Sequence, residues 1–407
     1  MANLDPNMNL QSTPTQQSAI PDFTDTEVAF AHLSDQELRR MEWLFSLMNK
    51  PWLVNTGSFV GLWSVKWNLP FARSIIRSTL FRQFVGGESL LKSLPTIEKL
   101  AANNTLTVLD YGVENKETEE DFNATLRENL RAIEFASGND HVPVVSTKIS
   151  GLASNPLLEK IQRGDQLSKS EEDAFKAVVK RVEALAMAAH EKGVAVFFDA
   201  EERWIQQPID DMVNTMMKRY NKDRVVVYNT YQLYRHDRLA YMIETAEKAK
   251  AEGWMLGAKI VRGAYMEKER LRAKEMGYPS PIYPDKPSTD QAYDDAVRFL
   301  VENYTTIASC NATHNAKSCM KMAAWIDELR IDRDHPHLNF SQLYGMSDHL
   351  TFNLANSGYN VAKYVPYGRV EEVIPYLLRR AQENSSVTGE MSRELELIHT
   401  EVKRRGL

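Results

Sequence analysis

The chain has 407 residues, 43% of them hydrophobic, enough for one large core with a smaller appendage. Its formal net charge of -6 offers no global attraction for nucleic acid, so no nucleic-acid partner is expected. The two cysteines, Cys310 and Cys319, exclude a disulfide scaffold and a cysteine-rich metal centre and suit a reducing compartment.

Residues 1–26 are rich in Asn, Gln, Ser, Thr and Pro and read as a disordered tail. The first basic residue is Arg39, so neither a secretory signal nor a transit peptide is expected. No apolar run of about 18 residues is present to span a membrane. Residues 27–100 read as a helical arm, and Ser34 and Glu37 frame a capping box. From Trp43 to Gly87 there is no Asp or Glu, but Lys50, Lys66, Arg73, Arg77 and Arg82 accompany Trp43, Trp52, Trp63 and Trp67. Such a stretch either packs its tryptophans on the main domain or forms a membrane-surface patch.

Residues 101–407 read as the catalytic domain. Short β-branched runs at 105–111, 142–149, 194–199, 224–231, 256–262, 306–313, 338–343 and 360–365 alternate with amphipathic stretches. Those stretches lie near 119–137, 168–192, 209–221, 238–252, 290–303, 315–329, 348–357 and 370–384. Eight βα units predict an α/β fold, a TIM-like (β/α)8 barrel with an N-terminal helical arm. Residues 265–289 carry Pro279, Pro281, Pro284 and Pro287 and are expected as a long loop walling or covering a site.

In such a barrel the chemistry stands at the C-terminal strand ends. Here they carry Asp110 and Glu114, then Lys148, then Asp199 with Ala200, then Gln232. The later ends carry Lys259, Val261, Arg262, Gly263 and Tyr265, then Thr313, His314 and Asn315, then Leu343, then Tyr364. One polar strand end is ordinarily a structural ion pair, but eight are hard to explain as packing. Arg379 and Arg380 follow on the next helix, where Tyr376, Arg380 and Glu383 share a face. On an outer surface these would be solvated charges. Above a barrel mouth they would join Lys148, Lys259 and Arg262 in attracting a carboxylate substrate or a phosphorylated cofactor. Asp199 and Glu114 would partly neutralise them.

No G-x-G-x-x-G follows a strand, there is no Walker loop, and the first strand has no His-x-His pair. His335 and His337 read as loop histidines rather than metal ligands, so no metal is expected. The residues alone describe a barrel enzyme for an anionic small molecule. A Schiff-base lyase using Lys148 or Lys259 and a non-catalytic carboxylate-binding barrel are the rival readings.

Four motifs add a resemblance. Lys259-Ile-Val-Arg-Gly-Ala-Tyr265, Ala312-Thr-His-Asn315, Gln342-Leu-Tyr-Gly-Met346 and Tyr376-Leu-Leu-Arg-Arg380 with Glu383-Asn384 resemble the proline dehydrogenase family. The resemblance covers roughly residues 60–390, in the same order, and favours the stand-alone, eukaryotic-like form, with no aldehyde dehydrogenase domain following. It implies non-covalent FAD at the barrel mouth and oxidation of L-proline to Δ1-pyrroline-5-carboxylate. It further implies electron transfer to a membrane quinone, from a cytoplasmic enzyme peripherally associated with the inner membrane.

The resemblance also implies roles. Arg379 and Arg380, helped by Lys148, would clamp the proline carboxylate, and Tyr364, Tyr265 and Leu343 would surround the ring. Asp199 would stand near the flavin and Lys148, and Glu114 would pair with the first arginine and gate the site. Lys259 would stand beside the flavin, where many bacterial members carry arginine. Ala200, Gln232, Val261, Arg262, Gly263, Thr313, His314 and Asn315 would contact FAD. Tyr364 would favour proline over hydroxyproline by filling the space of an added hydroxyl. The basic, Trp-rich arm is expected to give weak, salt-sensitive contact with anionic vesicles.

Overall fold

Alternation with period two along eight strands builds a closed parallel barrel. In chain order the strands are β1 Leu106–Tyr111, β2 Val144–Thr147, β3 Ala195–Phe198, β4 Val227–Gln232, β5 Leu256–Val261, β6 Ile307–Ala312, β7 Leu338–Leu343 and β8 Val361–Tyr367. The structure, a computed structural model, describes residues 20–50, 74–111, 116–386 and 390–407. Glu114, Trp52, Trp63 and Trp67 therefore lie outside the described residues. Every expected strand run contains or overlaps one barrel strand. β1 and β8 close the ring, in register from Leu106 opposite Ala362 to Tyr111 opposite Tyr367.

One set of alternate residues fills the barrel: Val108, Phe197, Tyr228, Ala308, Cys310 and Tyr364. The other set, including Leu109, Val196, Phe198, Ala258, Ile260 and Phe340, packs outward under the helices. Local signals start and stop those helices. Ser168 and Glu171 form a reciprocal capping box at the start of Lys169–Lys192, and Gly193, with φ 71°, ends it.

The last βα unit departs from the simple pattern, and this positions the site. A helix after the eighth strand would ordinarily lie beside β8 and β1. That place is filled by Leu90–Ala101, whose Ile97 and Leu100 are buried against the barrel wall. The helix Val370–Ser386 packs instead with the terminal helices. Its Val370, Val373, Tyr376 and Leu377 share a core with Phe30, Leu38 and Phe45 of the N-terminal helices and Ile398 of Glu390–Arg404. Arg405 ties the ends of the chain, donating to the carbonyls of Phe30 and Leu33 at 2.8 Å each. The expected capping box at Ser34 and Glu37 opens Asp35–Met48. Trp43, the arm tryptophan within the described residues, is 53% exposed.

One expectation needs correcting. Residues 265–289 are not a continuous loop, because Met266–Met276 is a helix closed by Gly277 at φ 73° and the next helix begins at Lys286. Its sequence, rich in Glu, Lys and Arg, propagates a helix without the apolar stripe that periodicity detects. The prolines at 279, 281 and 284 lie between the two helices, and Pro287 stands in the first turn of the second. Two further helices, Asn155–Gln162 and Glu390–Arg404, were likewise not expected.

Candidate active site

The inward face of a barrel strand repeats every second residue, so the top of each strand offers one or two side chains to the mouth. Asp199, following β3, is the acceptor on which four of them meet. Lys259 Nζ lies 2.6 Å from its Oδ1, and Ser146 Oγ donates to the same oxygen at 3.1 Å. On Oδ2, the Tyr364 hydroxyl donates at 2.8 Å and Lys148 Nζ stands at 3.4 Å. Burial alone would push this carboxyl up, but the two ammonium groups and the Tyr364 hydroxyl outweigh it and hold Asp199 well below the usual carboxylate range. The Lys259 ammonium also stands 4.6 Å from the centre of the Tyr364 ring and 5.5 Å from that of Phe197. Strands β2, β3, β5 and β8 thus pin one another through a single anion.

Asp110, at the top of β1, completes the buried group. Burial raises its carboxyl to about 6, and Asp199 adds to the rise against the opposing pull of Lys148. Asp110 was among the polar strand ends expected from the sequence, whereas Ser146 was not singled out. Ser146 was legible in principle, since it lies two residues before Lys148 and so on the same face of β2.

Beside this group, the loop after β5 is fastened at both ends. Gln232 donates to the Glu201 carbonyl at 2.7 Å and accepts from the Ala264 amide at 3.2 Å. Gly263 holds φ 142°, and a Cβ there would stand 2.4 Å from the Tyr234 ring, so this position requires glycine. Arg262 reaches Asp290 at 2.7 Å, Thr313 at 2.7 Å and Ser318 at 3.0 Å, and its guanidinium lies over the Tyr293 ring. Thr313 Oγ1 in turn accepts from the Asn315 amide, and Asn315 caps the helix Ala316–Glu328. Tyr265 is half-buried at the start of Met266–Met276, with the Lys268 ammonium 5.5 Å from the centre of its ring. Val261 and Ala200 line the same rim, and Leu343 packs on the barrel-interior cluster that contains Tyr364.

His314 faces a concentration of positive charge. Its Nδ1 is 2.8 Å from Ser347 Oγ, and Lys363, Arg380, His349 and Arg262 all act on the ring. Burial and those charges lower the imidazole to about 3, so it is neutral. Both ring nitrogens of neighbouring His349 are buried and have no hydrogen-bond partner among the described residues. Arg380 stacks on Tyr376 at 5.4 Å, the i,i+4 pairing expected for one helical face, and Arg379 is half-buried beside it. Among the described residues, no group of three or more His, Cys, Asp or Glu side chains could hold a metal ion. His337 bonds to the Tyr304 carbonyl at 2.7 Å and His335 stacks edge-on against Tyr304, as loop histidines.

The donor set suits a flavin nucleotide. Such a group carries a diphosphate and gathers negative charge on its ring system when reduced, and this rim presents Lys148, Lys259, Arg262 and Arg380 with neutral donors at Thr313, His314 and Gln232.

Comparison with known proteins bears on the family and the fold. Residues 93–393 match the proline dehydrogenase family. The chain is 33% identical over 332 residues to the carbapenem antibiotics biosynthesis protein CarD of Pectobacterium carotovorum subsp. carotovorum, covering 82% of this chain and 85% of that protein. It is 40% identical over 244 residues to mitochondrial proline dehydrogenase 1 of Caenorhabditis elegans, covering 59% of this chain and 40% of that protein. Among solved structures, proline utilization A of Bdellovibrio bacteriovorus, inactivated by N-propargylglycine, superposes with a TM-score of 0.74 at 20% identity, covering 93% of this chain and 44% of that one. That likeness extends to the fold. The family match takes in all eight barrel strands and the arginine-bearing helix, and the chain belongs to the proline dehydrogenase family of oxidoreductases.

Proposed function

We propose that this protein oxidises L-proline to Δ1-pyrroline-5-carboxylate, the first step of proline catabolism, using FAD and passing the electrons to a membrane quinone. The observation that carries the reading is the Asp199 group, in which Lys148, Lys259 and Tyr364 converge from three strands on one buried carboxylate. FAD, when bound, supplies the hydride acceptor. Ala200, Gln232, Val261, Arg262, Gly263, Thr313, His314 and Asn315 would hold it. Arg379 and Arg380 bind the substrate carboxylate as a bidentate clamp, and Lys148 helps from the barrel side. Tyr364, Tyr265 and Leu343 confine the ring and exclude water. A fixed orientation of this kind contributes several orders of magnitude to a rate.

Lys259 and Lys148 hold Asp199 ionised, and Asp199 holds both ammonium groups at the rim, so positive potential is maintained where negative charge gathers. With both ammonium groups engaged by one carboxylate, the site is arranged for electrostatic duty rather than for a lysine nucleophile. Glu114 is assigned the gate that pairs with Arg379 when substrate is absent. Electron transfer to quinone would place the protein in the cytoplasm with peripheral contact to the inner membrane. Among the described residues no helix is long and apolar enough to cross a membrane.

The test is a visible spectrum of the purified protein followed by anaerobic addition of L-proline. A flavin spectrum that bleaches with proline supports the reading. A flavin spectrum indifferent to proline keeps the cofactor and redirects the substrate. Hydroxyproline is then the first alternative. A colourless protein that FAD cannot reconstitute rejects the proposal.

A further inference from the structure

A second cavity, of about 80 Å³ and lined by both charged and apolar side chains, lies outside the barrel wall. It is enclosed by the helix Asp35–Met48, the segment around Arg82 and Gln83, the helix Leu90–Ala101, the loop after β7 and the outward face of β8. That volume holds several waters or one tetrahedral oxyanion.

Its charge is unbalanced. Four cationic side chains, Arg40, Arg82, Lys99 and Lys363, line it against two carboxylates, Glu37 and Asp348. Both carboxylates are already engaged. Glu37 takes Lys99 at 2.8 Å and caps its own helix, and Asp348 takes Lys363 at 2.7 Å and His32 at 3.3 Å. Arg40 and Arg82 are left over. Among the described residues neither has a carboxylate within ion-pair distance, and Arg40 donates only to the Thr79 carbonyl, at 3.3 Å. The Arg40 guanidinium is pushed below its ordinary value by burial and by the positive charge of Arg82. Two guanidinium groups at the edge of a cavity with room for a tetrahedral oxyanion suit a ligand that offers several anionic oxygens. Tyr344 adds a phenol whose proton burial secures, raised to about 12.

We propose that this cavity is a binding site for a phosphate-type dianion, clamped between Arg40 and Arg82 with Lys99 and the Tyr344 hydroxyl behind them. The site also has a route to the barrel mouth. Gln83, next to Arg82, donates to the Gly345 carbonyl at 2.9 Å, and Gly345 lies two residues after Leu343 on the same loop. An anion seated there would fasten the N-terminal segment to the loop that carries the apolar wall.

The experiment is calorimetric titration of inorganic phosphate into the FAD-loaded enzyme at constant ionic strength, for the wild type, Arg82→Gln and Arg379→Met. Arg82 is exposed and makes no described hydrogen bond, so its substitution is expected to leave the fold and basal proline turnover intact. Saturable binding that weakens at least about tenfold in Arg82→Gln and persists in Arg379→Met supports the site. Absence of saturable binding overturns it. So does binding that survives Arg82→Gln but is lost in Arg379→Met, which would put the anion in the barrel mouth. Once the site is supported, co-sedimentation with phosphatidic acid vesicles separates two sources of the same chemistry. Binding that depends on Arg82 indicates a lipid headgroup, and its absence indicates a free phosphate or phosphate ester.

Discussion

At the scale of single residues, the site is governed by how many donors a buried carboxylate can collect. Asp199 is tolerated in the barrel because two ammonium groups and two hydroxyls surround it. Lys259→Met should cost about 3 kcal/mol by leaving that carboxylate short of its nearest cation. Asp199→Asn should cost a similar amount, and the double variant less than the two together, as read from urea midpoints. Additive costs would show that the pair is not coupled. His314 makes a separate prediction. Its folded value of about 3 lies below an unfolded value of about 6.5, so the unfolded chain takes the proton first as the pH falls. Its contribution to stability is therefore whole above about 6.5 and lost progressively towards 3. The gap in stability between the wild type and His314→Gln should narrow between pH 7.5 and pH 5, measured on the apoprotein, and a gap indifferent to pH would reject the assignment. Asp110 and Glu201, raised to about 6 and about 7, act in the opposite sense over this range, so the comparison is made between variants rather than on one curve.

At the scale of elements, the loop after β7 is held by backbone geometry. Gly345 has φ 78°, and a Cβ there would stand 2.0 Å from the Gln83 carbonyl oxygen. Gly253 has φ 71° with nothing within 4 Å of its Cβ position. Both replacements by alanine carry the left-handed backbone penalty of about 1 kcal/mol, but Gly345→Ala must also move the Gln83 segment. Thermal unfolding should show Gly345→Ala the more damaging by roughly 1–3 kcal/mol, and equal losses would mean that the loop yields freely. Element identity was largely legible in the sequence. The helix Glu119–Ser137 matches its expected span, because its apolar stripe and polar caps agree. Met266–Met276 was missed because its stabilisation comes from helix-forming residues and a C-terminal glycine without an apolar stripe. The helix Arg203–Tyr220 begins six residues before its expected start because Pro208 is accommodated inside it.

At the scale of the whole molecule, the two ends of the chain cooperate to carry the arginines. Val373, Tyr376 and Leu377 of the arginine helix pack with Phe45 and Phe84 from the N-terminal segment and Ile398 from the last helix. Ile398→Ala removes a fully buried side chain and should cost about 2–5 kcal/mol, and in the proposed enzyme it should also raise KM for proline by loosening the helix that bears the clamp. Loss of stability with KM unchanged would separate the clamp from that core. The sequence by itself determined the barrel, since eight β-branched runs interleaved with amphipathic stretches have one well-packed parallel closure. It also determined which strand ends are polar, because a period of two marks the inward face. Only the tertiary structure decided that Asp199 is the shared acceptor for Lys148, Lys259, Ser146 and Tyr364, for these come from strands separated by as many as 218 positions. It alone decided that Leu90–Ala101 takes the flanking place of the last helix. Local pattern states that a helix forms, but which surface it covers depends on which apolar faces elsewhere in the chain are left to be buried.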